Sequence, residues 1–247
     1  MDRWVNKVAL VTGASSGIGM AIAEELVSKG MKVIGLCRRV EKVKMLAEQW
    51  KSMPGKLYPL QCDLGNETEI SRAMEWIEKN LGVVEVLINN AAVDMHTMFL
   101  DGTMDEWRKT FDINVLGLTH VTKEVLTLMK RKGIDRGHII NINDIWGLKV
   151  PITCERPVYA PYTCSKFALR AVTDCLRIEL AHLHSNIKVS CIYPGLVETE
   201  MTANSLKEHP RLALKPKDIA EATLFMLQTP ETVLVQDMVV TPIRQMV

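Results

Sequence analysis

Short apolar runs alternate with longer segments of helical period along most of this 247-residue chain. The first two apolar runs are Val8 to Val11 and Lys32 to Leu36, and helical segments follow them from Ile18 to Lys29 and from Glu41 to Trp50. Strands that are apolar throughout and that alternate with helices are typical of βαβ units, in which helices cover both faces of a parallel sheet. The pattern therefore predicts an α/β protein.

The same alternation continues toward the C-terminus. Further strands are predicted at Leu57 to Gln61, Val86 to Ile88, His138 to Ile142, Lys188 to Ile192 and Val233 to Val240. Helices are predicted around Ile70, Met74 and Ile77, from Met104 to Met129, from Tyr162 to Leu183 and from Pro216 to Leu227. Because no repeat or linker interrupts the pattern, we expect residues 1–247 to form one domain. Its fold should be a single doubly wound, Rossmann-type sheet of about seven parallel strands with helices on both faces.

The composition excludes several classes of protein. The formal net charge is +1 and no long run of either sign occurs, so a nucleic-acid partner is not expected. The six cysteines form no C-x-x-C pair and have no closely spaced histidines, so we expect neither a metal site nor disulfides. The polar residues before Val8 are too few for a signal peptide, and no apolar stretch reaches the roughly 18 residues of a membrane span. We therefore expect a cytoplasmic protein without a membrane span.

A glycine-rich turn follows the first predicted strand directly. Residues 12–19 read T-G-A-S-S-G-I-G and open the first helix. Gly13 permits a tight turn, Gly17 lets the backbone approach phosphates, and Gly19 lets the helix pack closely on the strand. A strand, a glycine turn and a helix N-terminus together form a site for a pyrophosphate. The expected contacts are Gly13, Ser15, Ser16, Gly17, Ile18 and Gly19.

The second strand ends in two arginines, Arg38 and Arg39, where an NAD-binding protein of this fold carries an acid for the ribose hydroxyl. Two cations without a carboxylate favour a 2′-phosphate, and hence NADP, with Arg38 as the preferred ligand. The alternative is that both arginines are solvated surface residues. Asp63 and Leu64 follow the third strand, and Asn90 and Ala91 follow the fourth, at the sheet edge that binds ligands in such folds. We expect all four to contact the cofactor.

Tyr162 and Lys166 lie four residues apart at the start of a predicted helix, and therefore on one face. A free tyrosine with a pKa near ~10 is a poor acid or base at neutral pH, but a neighbouring ammonium group and an oxidised nicotinamide stabilise its phenolate. Tyr162 could then take a proton from an alcohol, or return one to a carbonyl, as hydride moves to or from the cofactor.

Taken together, these motifs resemble those of the short-chain dehydrogenase/reductase family, over nearly the whole chain. The matches are T-G-A-S-S-G-I-G at 12–19, Asp63, N-N-A-A at 89–92, Asn114 in F-D-I-N-V, Y-x-x-x-K at 162–166 and P-G-L-V-E-T at 194–199. The C-terminal segments are most similar to the branch that contains insect farnesol dehydrogenases. The resemblance implies a catalytic role for Asn114, which would hold a water that links Lys166 to solvent. It also implies contacts of the nicotinamide with Pro194, Gly195, Val197 and Thr199.

One position departs from the family pattern. The fifth strand of these proteins ends in a serine that hydrogen-bonds the substrate oxygen, whereas this chain has Asp144 there. An ionised aspartate accepts hydrogen bonds but donates none, so it cannot take over the serine's role, whereas an Asp144 kept protonated by burial could donate. Two interpretations follow: an NADP-dependent enzyme that interconverts an alcohol and a carbonyl, or a weakly active or silent relative that binds NADP for a binding or regulatory purpose.

The substrate is expected to meet the loop of about residues 196–214. Met201, Leu206, Leu212 and Leu214 suggest an apolar lid and a lipophilic small-molecule substrate, although ordinary packing against the domain explains them equally well. The helices from Met104 and Tyr162 also carry apolar residues on more than one face, which predicts a homodimer or homotetramer. These residues are Val115, Leu116, Leu118, Val172, Leu176 and Leu180.

Overall fold

A computed structural model describes residues 1–150, 158–208 and 212–245 of the chain. Its strands are β1 (Val8–Thr12), β2 (Lys32–Cys37), β3 (Lys56–Gln61), β4 (Val86–Asn89), β5 (Arg136–Ile142), β6 (Asn186–Pro194) and β7 (Asp237–Val240). They form one seven-stranded sheet in the order β3-β2-β1-β4-β5-β6-β7, and every neighbouring pair is parallel. The predicted fold class is confirmed. The strand order reverses between β1 and β4, and a parallel sheet offers a ligand crevice at the carboxyl ends of such strands.

Eight α-helices lie in the described part of the chain, on the two faces of the sheet. They are α1 (Gly17–Ser28), α2 (Val40–Gln49), α3 (Glu67–Leu81), α4 (Met104–Phe111), α5 (Leu118–Arg131), α6 (Ala160–His182), α7 (Ala203–Glu208) and α8 (Pro216–Gln228). Short 3-10 helices at Asp2–Trp4 and Ile145–Gly147 and a π-helix at Asp112–Gly117 complete the set. No helix in these ranges is long and apolar enough to cross a membrane.

The hydrophobic core has two halves because successive side chains of a strand point to opposite faces. On β1, Ala9 and Val11 join a cluster with α1, α2 and α8, whereas Val8 and Leu10 join one with α3, α5 and α6. All five residues of β1 are buried. This two-sided burial explains why the strand reads as a continuous apolar run rather than as an alternation of apolar and polar residues.

The predicted helical stretch from Met104 to Met129 is helical throughout, but it is not one regular α-helix. A π-helix separates α4 from α5, so the backbone makes a wider turn at Asp112–Gly117. Gly117 lies so close to the loop after β3 that an added Cβ would be 2.4 Å from the Leu64 carbonyl oxygen. The wider turn also directs the Asn114 side chain inward, where it is buried and bonded to the backbone of Val93. Apolar periodicity could not reveal this because it continues through the turn.

Two further predictions needed correction. The stretch before Leu214, expected to be irregular, contains helix α7 and a parallel bridge between Val197 and Leu214. The last strand begins at Asp237 rather than at Val233, since the Val233 N–H bonds the Pro230 carbonyl and the chain is still turning there.

A buried histidine joins β5 to β6. His138 Nε2 lies 2.8 Å from the Ser190 hydroxyl, which itself donates to the Val235 carbonyl, so the ring nitrogen is the donor. Burial, together with the nearby charges of Lys188 and Arg3, lowers the pKa of His138 to about 3. The ring is therefore neutral in the folded protein across the whole physiological range.

This histidine should make folding sensitive to acid. Below its unfolded pKa, near ~6.5, the unfolded state binds a proton that the folded state does not bind, so stability falls as the pH is lowered. Between pH 6.5 and pH 5 the histidine alone should cost about 2 kcal/mol of unfolding free energy. We expect His138→Gln to remove that part of the loss when urea unfolding is followed at both pH values. The control is His182→Gln, an exposed position on α6, and an equal acid sensitivity of wild type and His138→Gln would contradict the prediction.

Candidate functional site

The glycine turn adopts the geometry that its sequence predicts. Gly13 and Gly17 have positive φ angles of 70° and 57°, which residues other than glycine rarely adopt. Gly19 has an ordinary φ, but a Cβ there would be 2.4 Å from Asn90 Nδ2 and 2.5 Å from the Gly13 carbonyl oxygen. The three glycines therefore let α1 begin directly beneath the turn, with its first N–H groups facing a cavity.

A threonine fixes the end of β1 to the end of β4. Thr12 Oγ1 accepts hydrogen bonds from the backbone N–H groups of Asn90 and Ala91, at 2.9 and 3.0 Å. The Asn90 side chain returns a bond of 3.0 Å to the Thr12 carbonyl. Sequence reasoning missed Thr12, and the available signal was a hydroxyl residue at the end of an otherwise apolar strand. The clamp holds the crevice between the two strands in shape.

The basic end of the cavity contains both predicted arginines. Arg38 and Arg39 line it, and Arg39 Nη2 donates to the Ser16 hydroxyl at 3.0 Å and to the Ser15 hydroxyl at 3.4 Å. Arg39 also pairs with Glu200 at 2.8 Å. Arg39, rather than the preferred Arg38, is thus the arginine that bonds the glycine turn.

The tyrosine and lysine lie on one face of α6 at the opposite end. Tyr162 donates a hydrogen bond of 3.0 Å from its hydroxyl to Asp144 Oδ2. Lys166 Nζ donates to the carbonyl oxygens of Ile142 and Asn143, each at 3.3 Å, and lies 5.4 Å from the centre of the Tyr162 ring. The end of β5 thereby supplies partners for both side chains.

Burial shifts the pKa values of Tyr162, Asp144 and Lys166 away from those of the same side chains in water. Burial, and then the charge and hydrogen bond of Asp144, raise the pKa of Tyr162 well above its ordinary value. Burial likewise raises the pKa of the Asp144 carboxyl, and the nearby charge of Asp94 adds to the rise, although Lys166 opposes it. Burial lowers the pKa of Lys166, whereas Asp144 raises it. Burial thus shifts both Asp144 and Tyr162 toward their neutral forms.

Asp144 also has a structural task. Its Oδ1 accepts the Trp146 backbone N–H at 2.8 Å and so caps the 3-10 helix at Ile145–Gly147. Serine can cap a helix N-terminus in the same way. The aspartate therefore differs from the family's serine in its charge and in its contact with Tyr162, rather than in the local backbone that it supports.

Asn114 lies behind the wall of the cavity. Its Nδ2 donates to the Val93 carbonyl at 2.9 Å and to the Ser165 hydroxyl at 3.1 Å, while its Oδ1 accepts the Val93 N–H at 2.8 Å. It connects the π-helix to the segment after β4 and to the first turns of α6. These contacts position the wall on which Tyr162 and Lys166 are mounted.

The structure brings most of the predicted residues into one cavity of about 270 Å³. Those that line it are Gly13, Ser15, Ser16, Gly17, Ile18, Arg38, Arg39, Asp63, Leu64, Asn90, Ala91, Tyr162, Lys166, Pro194, Gly195, Val197 and Thr199. Gly19 and Asn114 are buried or packed directly behind it. Lining residues that the sequence did not single out include Val93, Asn143 and Thr202.

The lid candidates divide into different environments. Met201 lines the cavity, whereas Leu212 is largely exposed and Leu214 packs against the core cluster beside α1 and α8. Leu206 is half-buried on α7. The segment before Tyr162 is rich in proline, which suggests a rebuilt wall of the site. Pro151, Cys154 and Pro157 lie outside the described residues, and Pro161 is in the first turn of α6.

A phosphate-type turn, a basic corner and a tyrosine–lysine pair along one crevice define a dinucleotide-dependent class of site. Comparison with known proteins assigns the family: the sequence model of the short chain dehydrogenase family matches residues 7–210. The chain belongs to the short-chain dehydrogenase/reductase family.

Its relatives include enzymes with named substrates. Farnesol dehydrogenase of Aedes aegypti is 41% identical over 245 residues, which cover 98% of each chain. Dehydrogenase/reductase SDR family member 11 of Bos taurus is 39% identical over 256 residues, covering 99% of each chain. Among solved structures, the closed form of serine dehydrogenase complexed with NADP+ is 26% identical with a TM-score of 0.86, covering 97% of this chain and 96% of that one.

Membership in this family makes the protein an oxidoreductase of alcohol and carbonyl groups that uses a nicotinamide cofactor. Among the residues in the ranges above, no group of His, Cys, Asp or Glu side chains is arranged to hold a metal ion.

Proposed function

We propose that this protein is an NADP-dependent oxidoreductase that interconverts an alcohol and a carbonyl compound, with Tyr162 as the acid and base. The observation that carries the proposal is the arrangement of one crevice: a glycine turn and two arginines at one end, and Tyr162 with Lys166 on one face of α6 at the other. In the proposal, one end of the site binds the phosphates of the cofactor, and the other end holds the carbon that gains or loses the hydride.

The residues of the crevice fit a dinucleotide. A Cβ at Gly17 would be 3.2 Å from the Thr199 side chain, so the glycine turn and the segment after β6 approach each other closely at the cavity. In the proposal, the turn residues Ser15, Ser16 and Gly17 hold the pyrophosphate, and Asp63, Leu64, Asn90 and Ala91 border the adenosine. Pro194, Gly195, Val197 and Thr199 border the nicotinamide, which supplies or accepts the hydride.

The proton chemistry depends on Asp144. If its carboxyl is neutral, as burial favours, it can donate a hydrogen bond to the substrate oxygen as the family's serine does. If it is ionised, its charge opposes formation of the Tyr162 phenolate. Lys166 favours that phenolate, and Asn114 holds the wall that carries it. The direction of the Asp144 shift supports the neutral form, which is more abundant as the pH falls.

A second function is favoured by the contact between Tyr162 and Asp144. The hydroxyl that should face the substrate donates instead to a buried carboxylate oxygen. A protein held in this arrangement would bind NADP and turn over slowly or not at all, and it would serve a binding or regulatory role. Activity measurements separate the two functions.

The substrate that we propose is a lipophilic small molecule. Met201 on the cavity wall supports this, and so does the Tyr162 ring, which lines the cavity and packs against Trp146 at 6.1 Å in a T-shaped arrangement. We also propose that the protein is cytoplasmic. It is supported by the cysteines of the described ranges, all of which are free thiols.

Self-association is part of the proposal as well. Val115, Leu118 and Leu180, which contributed to the prediction, are buried within the chain, but Leu116 is exposed on the π-helix. Ile178 on α6 is also largely exposed. These exposed apolar side chains support a homodimer or homotetramer.

The first prediction concerns the cofactor. NADPH should bind at least about tenfold tighter than NADH, because an arginine forms a charge-assisted pair with the 2′-phosphate. Arg38→Asp should weaken NADPH binding by at least that factor with little change for NADH, as measured by fluorescence titration. Arg72→Asp, an exposed position on α3, is the control. Equal affinities of the wild type for the two cofactors would refute the preference.

The second prediction concerns Asp144 and tests the function itself. With NADPH and a panel of ketones and aldehydes, wild-type turnover should rise as the pH is lowered. Asp144→Ser should raise turnover at neutral pH by about tenfold to a hundredfold, up to the lower end of the usual contribution of one such donor, and flatten the pH dependence. NADPH affinity should change little.

Tyr162→Phe is the control for this chemistry, and it should abolish turnover in both the wild-type and the Asp144→Ser background. If neither background turns over any substrate although NADPH binds, the binding role is the correct one. If Asp144→Ser abolishes the activity of an efficient wild-type enzyme, Asp144 is itself a working catalytic residue.

The third prediction concerns oligomeric state. Light scattering at micromolar concentration should give the mass of two or four chains. A mass of one chain would show that the exposed apolar side chains on the π-helix and α6 are tolerated without a partner.

A further inference from the structure

A carboxylate from the segment after β6 occupies the basic corner of the cavity. Glu200 Oε2 is 2.8 Å from Arg39 Nη2, and Glu200 Oε1 is 2.8 Å from Lys42 Nζ in the first turn of α2. One oxygen is thus given to each cation. The contact joins the segment after β6 to the segment after β2, and both Arg39 and Glu200 line the cavity.

Arg39 has more acceptors at one nitrogen than that nitrogen can serve. Its Nη2 lies within hydrogen-bond distance of the Ser15 hydroxyl, the Ser16 hydroxyl and Glu200. A guanidinium Nη carries two hydrogens, so the three contacts cannot all be full hydrogen bonds. The glycine turn and Glu200 therefore already compete for this side chain.

A phosphate would enter the same competition with a larger charge. Arg39 and Lys42 contribute two positive charges and Glu200 removes one. A phosphate monoester carries close to two negative charges at neutral pH, and it prefers the same guanidinium and ammonium donors. If Glu200 stayed in place, it would repel the phosphate. If it moved, its two ion pairs would be lost.

We propose that Lys42 joins Arg39 in a subsite for the 2′-phosphate of NADP, an inference that rests on the proposed function. Glu200 is a counter-ion within that subsite, and its charge weakens phosphate binding. Glu200 and Lys42 are then specificity-determining residues of the cofactor site. The chain sets its preference for NADP over NAD by the balance of Arg38, Arg39 and Lys42 against one carboxylate, rather than by the arginines alone.

The turn that carries Glu200 connects this carboxylate to the wall of the cavity. The Thr202 hydroxyl accepts a hydrogen bond from the Thr199 N–H at 3.0 Å and donates one to the Val197 carbonyl oxygen. These two bonds hold the segment on both sides of Glu200 as one compact turn. Thr199 and Met201, the immediate neighbours of Glu200, line the cavity. Displacement of the carboxylate would therefore be felt at the wall where the substrate is expected.

The chain offers a matched control for Glu200. Glu198 lies two residues earlier, is similarly exposed and also forms a salt bridge, but its partner is Lys215 at the start of α8. Glu198→Gln removes the same charge from the same segment without touching Arg39 or Lys42. A general change in net charge would affect both variants equally.

The experiment uses calorimetry to measure the affinities for NADPH and NADH. It compares wild type with Glu200→Gln, Lys42→Gln, the double variant and Glu198→Gln. Glu200→Gln should tighten NADPH binding about fivefold, the upper end for one exposed ion pair, and leave NADH binding unchanged. Lys42→Gln should weaken NADPH binding without affecting NADH. The effect of Glu200→Gln should be smaller in the Lys42→Gln background, and Glu198→Gln should change neither affinity.

Weaker NADPH binding by Glu200→Gln would overturn the proposal, because Glu200 would then merely organise Arg39. An equal change for NADPH and NADH would overturn it as well. The same titration with adenosine 2′,5′-bisphosphate and 5′-AMP reads the subsite independently of hydride transfer. If wild type shows no NADPH preference but Glu200→Gln acquires one, the counter-ion is real and the proposed cofactor preference of the native protein is wrong. If no variant prefers the 2′-phosphate, the subsite does not exist.

Discussion

The close approach of the first and fourth strands at their carboxyl ends is the constraint on which the whole crevice depends. Thr12 bonds two backbone N–H groups of the segment after β4, and Gly19 leaves no room for a Cβ between that segment and the glycine turn. The strand order reverses here, so the loops on either side diverge and leave an opening. Packing of neutral backbone, rather than any charged contact, thus creates the space that charged groups later border.

The opposite end of the crevice depends on electrostatics in a buried environment. Tyr162 and Lys166 are buried and Asp144 is half-buried beside them, so each is sensitive to the charge state of the others. An aspartate in place of the family's serine leaves the backbone cap at Trp146 possible but replaces a fixed hydroxyl donor by a group that donates only when it is protonated. A single side chain therefore decides whether the site works as a donor to the substrate or as a trap for the tyrosine hydroxyl.

The sequence was sufficient for the sheet and for most of the crevice because continuous apolar runs and glycine spacing are local signals. Gly13, Gly17, Tyr162 and Lys166 all lie where their motifs predicted. The corner formed by Lys42 and Glu200 could not be predicted, since the two residues are 158 positions apart and meet through a turn whose path no periodicity encodes. The contacts of Asn114 were hidden for a related reason: the π-helix keeps the apolar rhythm of an ordinary helix while changing its direction.

That π-helix holds about one residue more than a regular turn between α4 and α5 needs, because it bonds each N–H to the carbonyl five residues earlier rather than four. Deletion of one residue from Asp112–Gly117 would therefore let α4 and α5 join as one regular α-helix, and Val121, Val125 and Leu128 would keep their places against the sheet. The loss would fall on Asn114, whose inward position depends on the wider turn. The extra residue is accordingly dispensable for the helix and needed for the wall behind Tyr162 and Lys166.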